Sequence, residues 1–125
     1  MLEQFAKHNY LLFSTLKRNG DYVATPVWFA QQGSSFYLFS AGDAGKVKRL
    51  RNFSEAKITP CAMLGEPRGE EVAAKAYLLD DESEIKLAHK LLVKTYGWQM
   101  RLLDIGSTLA GRKKTRKYIR VDVTT

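Results

Sequence analysis

The sequence contains few of the residues from which metal centres are built. It has one cysteine, Cys61, and two histidines, His8 and His89, in 125 residues. A structural zinc site draws on four cysteine or histidine ligands, so this chain cannot complete one. We therefore expect no metal, and we expect Cys61 to be a buried strand residue rather than a redox thiol.

Long apolar stretches are also absent. No window approaches the uninterrupted apolar length of a membrane-spanning helix, and residues 1–4 do not open a basic segment followed by an apolar one. Together with the single cysteine, this pattern predicts a soluble protein of the reducing cytoplasm with no membrane partner.

Signatures of nucleophilic hydrolysis are missing as well. The chain has no nucleophile-elbow sequence, and neither histidine lies in a pattern typical of a catalytic triad. The acidic clusters at residues 70–71 and 80–82 lie at a predicted strand start and a predicted helix N-terminus. Acidic side chains there are surface charges or complement the helix dipole. Hydrolysis is therefore disfavoured, and no catalytic residue is assigned.

Acidic residues are scarce in the last third of the chain. Ten of the 20 Lys and Arg residues lie between Lys86 and Arg120, where Asp104 is the only acid, and the net charge is +7. A positive face attracts phosphorylated cofactors, nucleic acid or acidic partners, and it is as often a plain solvated surface. The charge alone does not distinguish among these possible binding partners and a solvated surface.

Short β-forming segments dominate what is present. Asn19-Gly20 is a strong hairpin signal, so the first two strands should pair, and a turn at residues 31–34 should add a third strand as a meander. The six predicted strands are residues 10–16, 22–29, 35–40, 57–63, 71–78 and 118–123.

Helical spacing is confined to fewer segments. The longest runs from Asp81, which with Glu84 is predicted to cap it, to a stop at Gly97, and a further helix should run from Trp98 to about Ala110. Shorter helices are expected at residues 2–7 and after the glycine-rich loop 41–45. Without β-α alternation, the pattern predicts one domain over residues 1–125, mostly β at the margin of α+β, built as an antiparallel barrel with peripheral helices.

The loop before the second helix is a candidate phosphate site. It leads into a turn that carries Lys46, Lys48 and Arg49, although cations near a helix N-terminus oppose the helix dipole. A bound anion would compensate them, and backbone N–H groups of the first turn would assist. Lys46 and Arg49 share a face while Lys48 points elsewhere. The alternative is a solvated basic helix.

The second strand carries a different signal. Pro26 removes a ladder donor and is typical of an edge strand or bulge, so backbone groups between Thr25 and Trp28 could be free to meet a planar ring. Trp28 would then supply an apolar wall. The alternative is a core tryptophan on an edge strand.

The order of these motifs resembles a known family. Thr25-Pro26-Val27-Trp28-Phe29, the strand 36–40, the basic segment 45–52 and Ile58-Thr59-Pro60-Cys61 follow one another as in the FMN-binding split-barrel proteins. The match is to the pyridoxamine-phosphate-oxidase-like class, which includes reductases that use the deazaflavin coenzyme F-420. The resemblance implies a six-stranded antiparallel split β-barrel and a homodimer with the cofactor at the subunit interface.

The resemblance also implies where the cofactor binds. FMN is the cofactor expected first, with FAD, deazaflavin coenzyme F-420 and haem as alternatives. The ring would lie along the second strand and the phosphate near the basic turn, so the implied cofactor-binding residues are Thr25, Pro26, Val27, Trp28, Ser40, Lys46, Lys48 and Arg49. Gly45 stands where true pyridoxamine-phosphate oxidases begin an arginine-lysine pair, and their C-terminal extension is lacking. Pyridoxal-phosphate synthesis is therefore not expected.

The function implied is hydride transfer between the bound ring and a small organic substrate. The cofactor carries the chemistry in such enzymes, which agrees with the lack of a visible acid-base pair. A flavin or haem carrier or sensor without turnover is the first alternative. A nucleic-acid-binding barrel is the second alternative. However, Tyr118 is the only aromatic residue between Arg112 and Arg120, and proteins that bind single-stranded nucleic acid place more aromatic residues among their basic ones.

Overall fold

The computed structural model describes residues 2–42, 44–109 and 116–124, which form one antiparallel sheet with helices around it. The strands are β1 (Tyr10–Leu16), β2 (Tyr22–Trp28), β3 (Ala30–Gln32), β4 (Ser35–Ser40), β5 (Glu55–Cys61), β6 (Val72–Leu78) and β7 (Lys117–Val123). The helices are a 3-10 helix (Leu2–Lys7), α1 (Gly45–Asn52), α2 (Glu82–Tyr96) and α3 (Trp98–Leu109). The mostly β class is confirmed. The count of six strands is wrong, because seven occur within the described residues.

The order of the strands explains how the sheet curls. It runs β2-β1-β5-β6-β7-β4-β3, with every neighbouring pair antiparallel. The two edge strands, β2 and β3, are separated in the sequence only by Phe29, which is buried in the core. The sheet must therefore curve until its edges approach each other at this residue, which produces the split barrel.

The extra strand comes from a stretch that the sequence predicted to be a turn. Gln31 and Gln32 pair with Phe36 and Ser35, and the chain reverses only at Gly33, whose φ of 63° suits a tight turn. The predicted three-stranded meander is therefore wrong in its last step. β1 and β2 do form the expected hairpin, but β4 pairs with β3 and β7.

Apolar side chains fill the inside of the barrel and a second layer under α2. The inner cluster includes Phe5, Phe13 and Phe36, all fully buried. The outer cluster joins α2 and α3 to the other side of the sheet through Leu92, Met100 and their neighbours. Burying each large apolar side chain contributes about 1.5–3 kcal/mol, so the outer cluster holds α2 in a fixed place on the sheet.

The ends of α2 agree with the sequence in part. The Asp81 side chain accepts a hydrogen bond from the Ser83 backbone N–H, and Gly97 ends the helix with a φ of 60°. Glu84 was predicted to be the second member of the cap, but its carboxylate instead pairs with the Arg120 guanidinium of β7. α3 begins at Trp98 as predicted. Its predicted last residue, Ala110, lies outside the described residues.

Two further expectations concern Cys61 and the membrane. Cys61 is buried, as predicted, and burial raises the pKa of its thiol. Within the described part of the chain, no helix combines the length and the apolar character that crossing a bilayer requires.

Candidate functional site

The predicted ring-binding segment lies on an edge strand of the sheet. β2 pairs with β1 alone and ends the strand order, which is the position that Pro26 indicated. Directly opposed residues of an antiparallel pair share a face, so Thr25 and Val27 lie on the inner face with their partners Phe13 and Leu11. Pro26 is exposed on the outer face.

The Thr25 hydroxyl has an unusual environment. Its Oγ1 is buried, and within the described residues it is the one buried side-chain oxygen or nitrogen for which no hydrogen-bond partner is found. Leaving such a group unpaired costs about 1–3 kcal/mol. β2 therefore carries a buried hydroxyl to which no other described residue offers a hydrogen bond.

Trp28 is held against the end of α2. Its ring stacks on Tyr96 with centroids 4.4 Å apart and planes 9° from parallel, and it meets Phe39 edge-on at 6.5 Å. Trp28 has features of both interpretations of the sequence, the core residue and the wall of a binding site. It packs in the outer cluster. It also lines a cavity of about 270 Å³ together with Asn9, Tyr10, Thr95, Tyr96 and Gln99. The indole is an apolar wall in a fixed orientation.

Tyr96 fixes that wall by binding the junction between β2 and β3. Its hydroxyl accepts the Phe29 backbone N–H at 2.8 Å and lies 2.7 Å from the Asn9 carbonyl oxygen and 2.8 Å from that of Phe29. Burial raises the pKa of Tyr96 well above its usual value, so the hydroxyl keeps its proton and can donate to a carbonyl. This contact could not be predicted from the sequence, because Phe29 and Tyr96 are 67 residues apart.

The predicted phosphate-binding cations meet at the first turn of α1. No acidic residue lies in that turn, and its N-cap residue, Ala44, offers no side-chain hydrogen bond. Lys46 is half-buried, and burial together with the charge of Arg49 lowers the pKa of its ammonium group. Two cations are therefore brought together at the positive end of a helix, where the charge of Arg49 disfavours the charged form of Lys46.

Arg49 also ties this turn to the barrel. Its Nε donates a hydrogen bond of 2.5 Å to the hydroxyl of Thr15, a fully buried residue of β1. Thr15 is paired with Val23 on β2, two residues before Thr25. The basic turn and the proline-containing strand are thus connected through one β1 residue. Thr15 is the second site residue that sequence reasoning missed.

Among the described residues, no hydrogen bond joins the remaining predicted residues, Ser40 and Lys48, to this pair. Lys48 is exposed, as its helical spacing indicated. Ser40 is buried at the end of β4, where its hydroxyl donates to the Ala41 carbonyl oxygen at 3.1 Å. It is paired in register with Lys117 of β7. The structure thus brings Lys46 and Arg49 together and gives Ser40 and Lys48 other surroundings.

The described residues show no cluster suited to a metal. Among residues 2–42, 44–109 and 116–124, no three His, Cys, Asp or Glu side chains are grouped as metal ligands. The central part of the basic run in the last third, residues 112–115, lies outside the described residues.

Comparison with known proteins gives a clear result for the fold alone. No protein-family model matches the sequence, and no curated protein matches it. Solved structures, in contrast, share its architecture over nearly the whole chain. HutZ, the haem storage protein of Vibrio cholerae, aligns with a TM-score of 0.74 at 13% identity, covering 99% of this chain and 88% of HutZ.

Two other solved structures carry names of a different kind. A candidate pyridoxamine 5'-phosphate oxidase from Listeria innocua aligns with a TM-score of 0.70 at 14% identity, covering 99% of this chain and 90% of its own. A candidate 5-nitroimidazole antibiotic resistance protein from Bacteroides thetaiotaomicron aligns with a TM-score of 0.72 at 14% identity, covering 98% and 78%. The likeness establishes that this chain shares the fold of these proteins. At these identities it leaves ligand and activity open.

Proposed function

We propose that the protein is a flavin-dependent oxidoreductase that binds FMN, or a related flavin or deazaflavin, between the first turn of α1 and β2. The observation that carries the proposal is the pair of Lys46 and Arg49. They are two adjacent cations at a helix N-terminus whose first turn has no acid, and Arg49 is linked through Thr15 to the edge strand.

A phosphate monoester fits this pair physically. Burial disfavours the ammonium form of Lys46, and the neighbouring Arg49 disfavours it further. A dianionic phosphate would reverse that balance, accept charge-assisted hydrogen bonds from both side chains and complement the helix dipole. The chemistry of the donors therefore suits the phosphate end of FMN.

The ring would lie along β2. One side of this strand has no strand partner in the described chain, so its backbone can offer hydrogen bonds to the edges of a planar heterocycle. Trp28, fixed by Tyr96, would bound the ring on one side. A bound flavin supplies hydride transfer, and the chain supplies orientation, exclusion of water and hydrogen bonds.

We propose that a second copy of the chain completes the site. The segment after β5 folds back over the hairpin, where a Cβ at Gly65 would lie 3.5 Å from the Leu12 side chain and 3.9 Å from the ring of Pro26. The same segment leaves Met63 and Leu64 63% and 83% exposed. Exposed apolar side chains beside β2 are a suitable contact for a partner that covers the ring.

Binding is tested by titrating the purified protein with FMN, FAD and deazaflavin while following cofactor fluorescence, with sedimentation to report dimerisation. Lys46→Ala should weaken FMN binding by about tenfold, since charge-assisted contacts contribute about 1.5–3 kcal/mol. Lys48→Ala is the matched control, because this exposed lysine is on the same helix, and it should change binding less than twofold. Equal loss in both variants would show general attraction of anions instead.

A carrier without turnover is the second candidate function. It is favoured by the likeness of the fold to the haem storage protein HutZ, whose TM-score of 0.74 exceeds that of the candidate oxidase. The visible spectrum of the loaded protein separates haem from flavin. Steady-state reduction of a quinone or dye then separates enzyme from carrier, since a carrier gives no rate above free cofactor.

A further inference from the structure

A second concave site lies on the other side of the sheet from the barrel core. It is a cavity of about 720 Å³ between the first half of α2 and the strands β6 and β7. This volume is within the range of small-molecule pockets, about 300–1,000 Å³. Thr25, Trp28, Lys46 and Arg49 are not among its lining residues, so it is distinct from the proposed flavin site.

The lining of this cavity is strongly basic. Lys86 and His89 come from α2, and Arg116 and Lys117 come from the start of β7, while Asp80 is the one acidic residue in the lining described. Basic groups from two elements far apart in sequence therefore converge on one concavity.

Two of these groups are held in place by a carboxylate that is largely, but not fully, buried. Asp104 of α3 accepts a hydrogen bond of 2.6 Å from Arg116 Nη1 through Oδ1, and its Oδ2 lies 2.7 Å from His89 Nε2. The Arg116 side chain is only 5% exposed and its guanidinium lies 4.9 Å from the centre of the Phe39 ring. The guanidinium and the imidazole are thus oriented before any guest arrives.

The rest of the lining is apolar or aromatic. Leu79 is buried, Ile85 is half-buried, and Tyr118 presents a ring that meets His89 edge-on at 6.3 Å. Tyr118 also accepts a hydrogen bond of 3.3 Å from Arg116 through its hydroxyl. An occupant would therefore contact cations with one end and apolar side chains with the other.

We propose that this cavity binds a small organic anion, a carboxylate or phosphate monoester carried on an apolar ring or chain. Lys86 and Lys117, both exposed at the cavity, would contact the anionic oxygens, and the positive charge of Arg116 lies in the same lining. Leu79, Ile85 and Tyr118 would cover the apolar body. Such a site gives this chain a place for a substrate or effector apart from the flavin.

The test is a titration of the flavin-free protein with phenyl phosphate and with benzoate, followed by amide chemical shifts in NMR. Saturable shifts should appear at residues 79–89 and 116–118 with both anions, and shifts at residues 45–49 with phenyl phosphate are followed separately as binding to the proposed flavin-phosphate site. Benzyl alcohol, which has the ring without the charge, should bind at least about tenfold more weakly, the factor that corresponds to ~1.4 kcal/mol. Shifts of equal size from the neutral ring, or none from either anion, would overturn the proposal.

Substitutions identify the residues that bind. Lys86→Gln and Lys117→Gln should each weaken phenyl phosphate binding about fivefold or more, as expected when one ion contact is lost. Lys90→Gln, on an exposed position of the same helix, should leave it within twofold. If all three variants lost phenyl phosphate affinity equally, the binding would be due to general surface charge and the proposed site would be wrong.

FMN titration of the same variants keeps this proposal separate from the flavin site. Lys86→Gln should leave FMN affinity unchanged while phenyl phosphate affinity falls. Loss of FMN binding in Lys86→Gln and not in Lys46→Ala would instead place the flavin phosphate in this cavity, which would overturn both assignments. If Lys86→Gln lost neither FMN binding nor phenyl phosphate binding, the proposed anion site in this cavity would be contradicted. The proposed flavin site would still be tested by Lys46→Ala.

Discussion

The guanidinium of Arg49 occupies space that a side chain at residue 45 would need. Its Nη1 atom lies 2.8 Å from the position of a Cβ on Gly45, closer than such contacts normally come. The absent side chain at residue 45 gives Arg49, one turn later, room to lie across the N-terminus of α1.

The first prediction concerns Gly45→Ala. The added methyl group must displace Arg49 and weaken its bond to Thr15, while alanine favours the helix over glycine by about 1 kcal/mol. We expect stability to change by less than about 1 kcal/mol, and FMN affinity to fall about threefold to tenfold. Thermal melting and fluorescence titration measure the two effects.

A double-mutant cycle with Arg49→Gln supplies the control for this prediction. If Gly45→Ala acts by displacing Arg49, the two substitutions share one effect, and the double variant should bind FMN no more weakly than Arg49→Gln alone. Additive losses would show that residue 45 acts on FMN independently of Arg49.

The second prediction concerns Lys46→Met, which should act in opposite directions on stability and on binding. The folded protein lowers the pKa of Lys46, so the charged form is less favourable in the folded state than in the unfolded state at every pH below that pKa. Removing the charge should therefore raise the stability of the cofactor-free protein near pH 7, by up to about 1 kcal/mol. The same change should weaken FMN binding by about tenfold.

The pH dependence gives that prediction a second measurement. The unfavourable contribution of Lys46 fades as pH rises through its lowered pKa towards the value of the unfolded chain, about 10.4. The stability gained by Lys46→Met should thus shrink between neutral pH and pH ~10. Lys48→Met, at the exposed position of the same helix, is the comparison variant measured in parallel. A gain that is constant with pH would contradict the electrostatic cause.

The third prediction compares two threonines on the inner face of neighbouring strands. Thr25 Oγ1 lacks a partner in the described chain, whereas Thr15 Oγ1 accepts the Nε–H of Arg49. Replacement by valine keeps the shape and removes the hydroxyl. Thr25→Val should therefore stabilise the protein by about 1 kcal/mol, and Thr15→Val should destabilise it by about 1–3 kcal/mol. Urea unfolding of both variants measures this, and a destabilised Thr25→Val would reveal a hidden partner for that hydroxyl.

Features that depend on local chemistry could be predicted from the sequence. Asn19-Gly20 gave the β1–β2 hairpin, with Gly20 at a φ of 94°. Asp81 and Gly97 marked the two ends of α2 because a cap and a left-handed stop are set by single residues. Pro26 indicated an edge strand for a similar reason, since the ring removes a backbone donor whatever its partners are.

Features that depend on partners distant in the sequence could not be predicted from it. Nothing near Gln31 and Gln32 shows that they pair with β4, because polar residues are as common in turns as on strand edges. Glu84 carried a capping pattern, yet Arg120 of β7 competes for its carboxylate. The His89–Asp104–Arg116 cluster likewise combines α2, α3 and the start of β7. The residue pattern within one helix or strand does not predict contacts with other elements.

The last prediction concerns Tyr96→Phe, which removes the hydroxyl that joins α2 to the β2–β3 junction. The Phe29 N–H would lose its 2.8 Å partner inside the core, so the free energy of unfolding should fall by about 1–3 kcal/mol while the stack on Trp28 remains. Folding raises the pKa of Tyr96, so its contribution is complete below the unfolded value of about 10 and is lost as pH rises towards the folded pKa. Urea unfolding at pH 8 and at pH ~11 should therefore show the difference between wild type and variant shrinking at the higher pH. Because Tyr37 and Tyr118 remain in both proteins, their titration cancels in this difference, and a difference that is unchanged across the range would mean that the hydroxyl bond does not hold the junction.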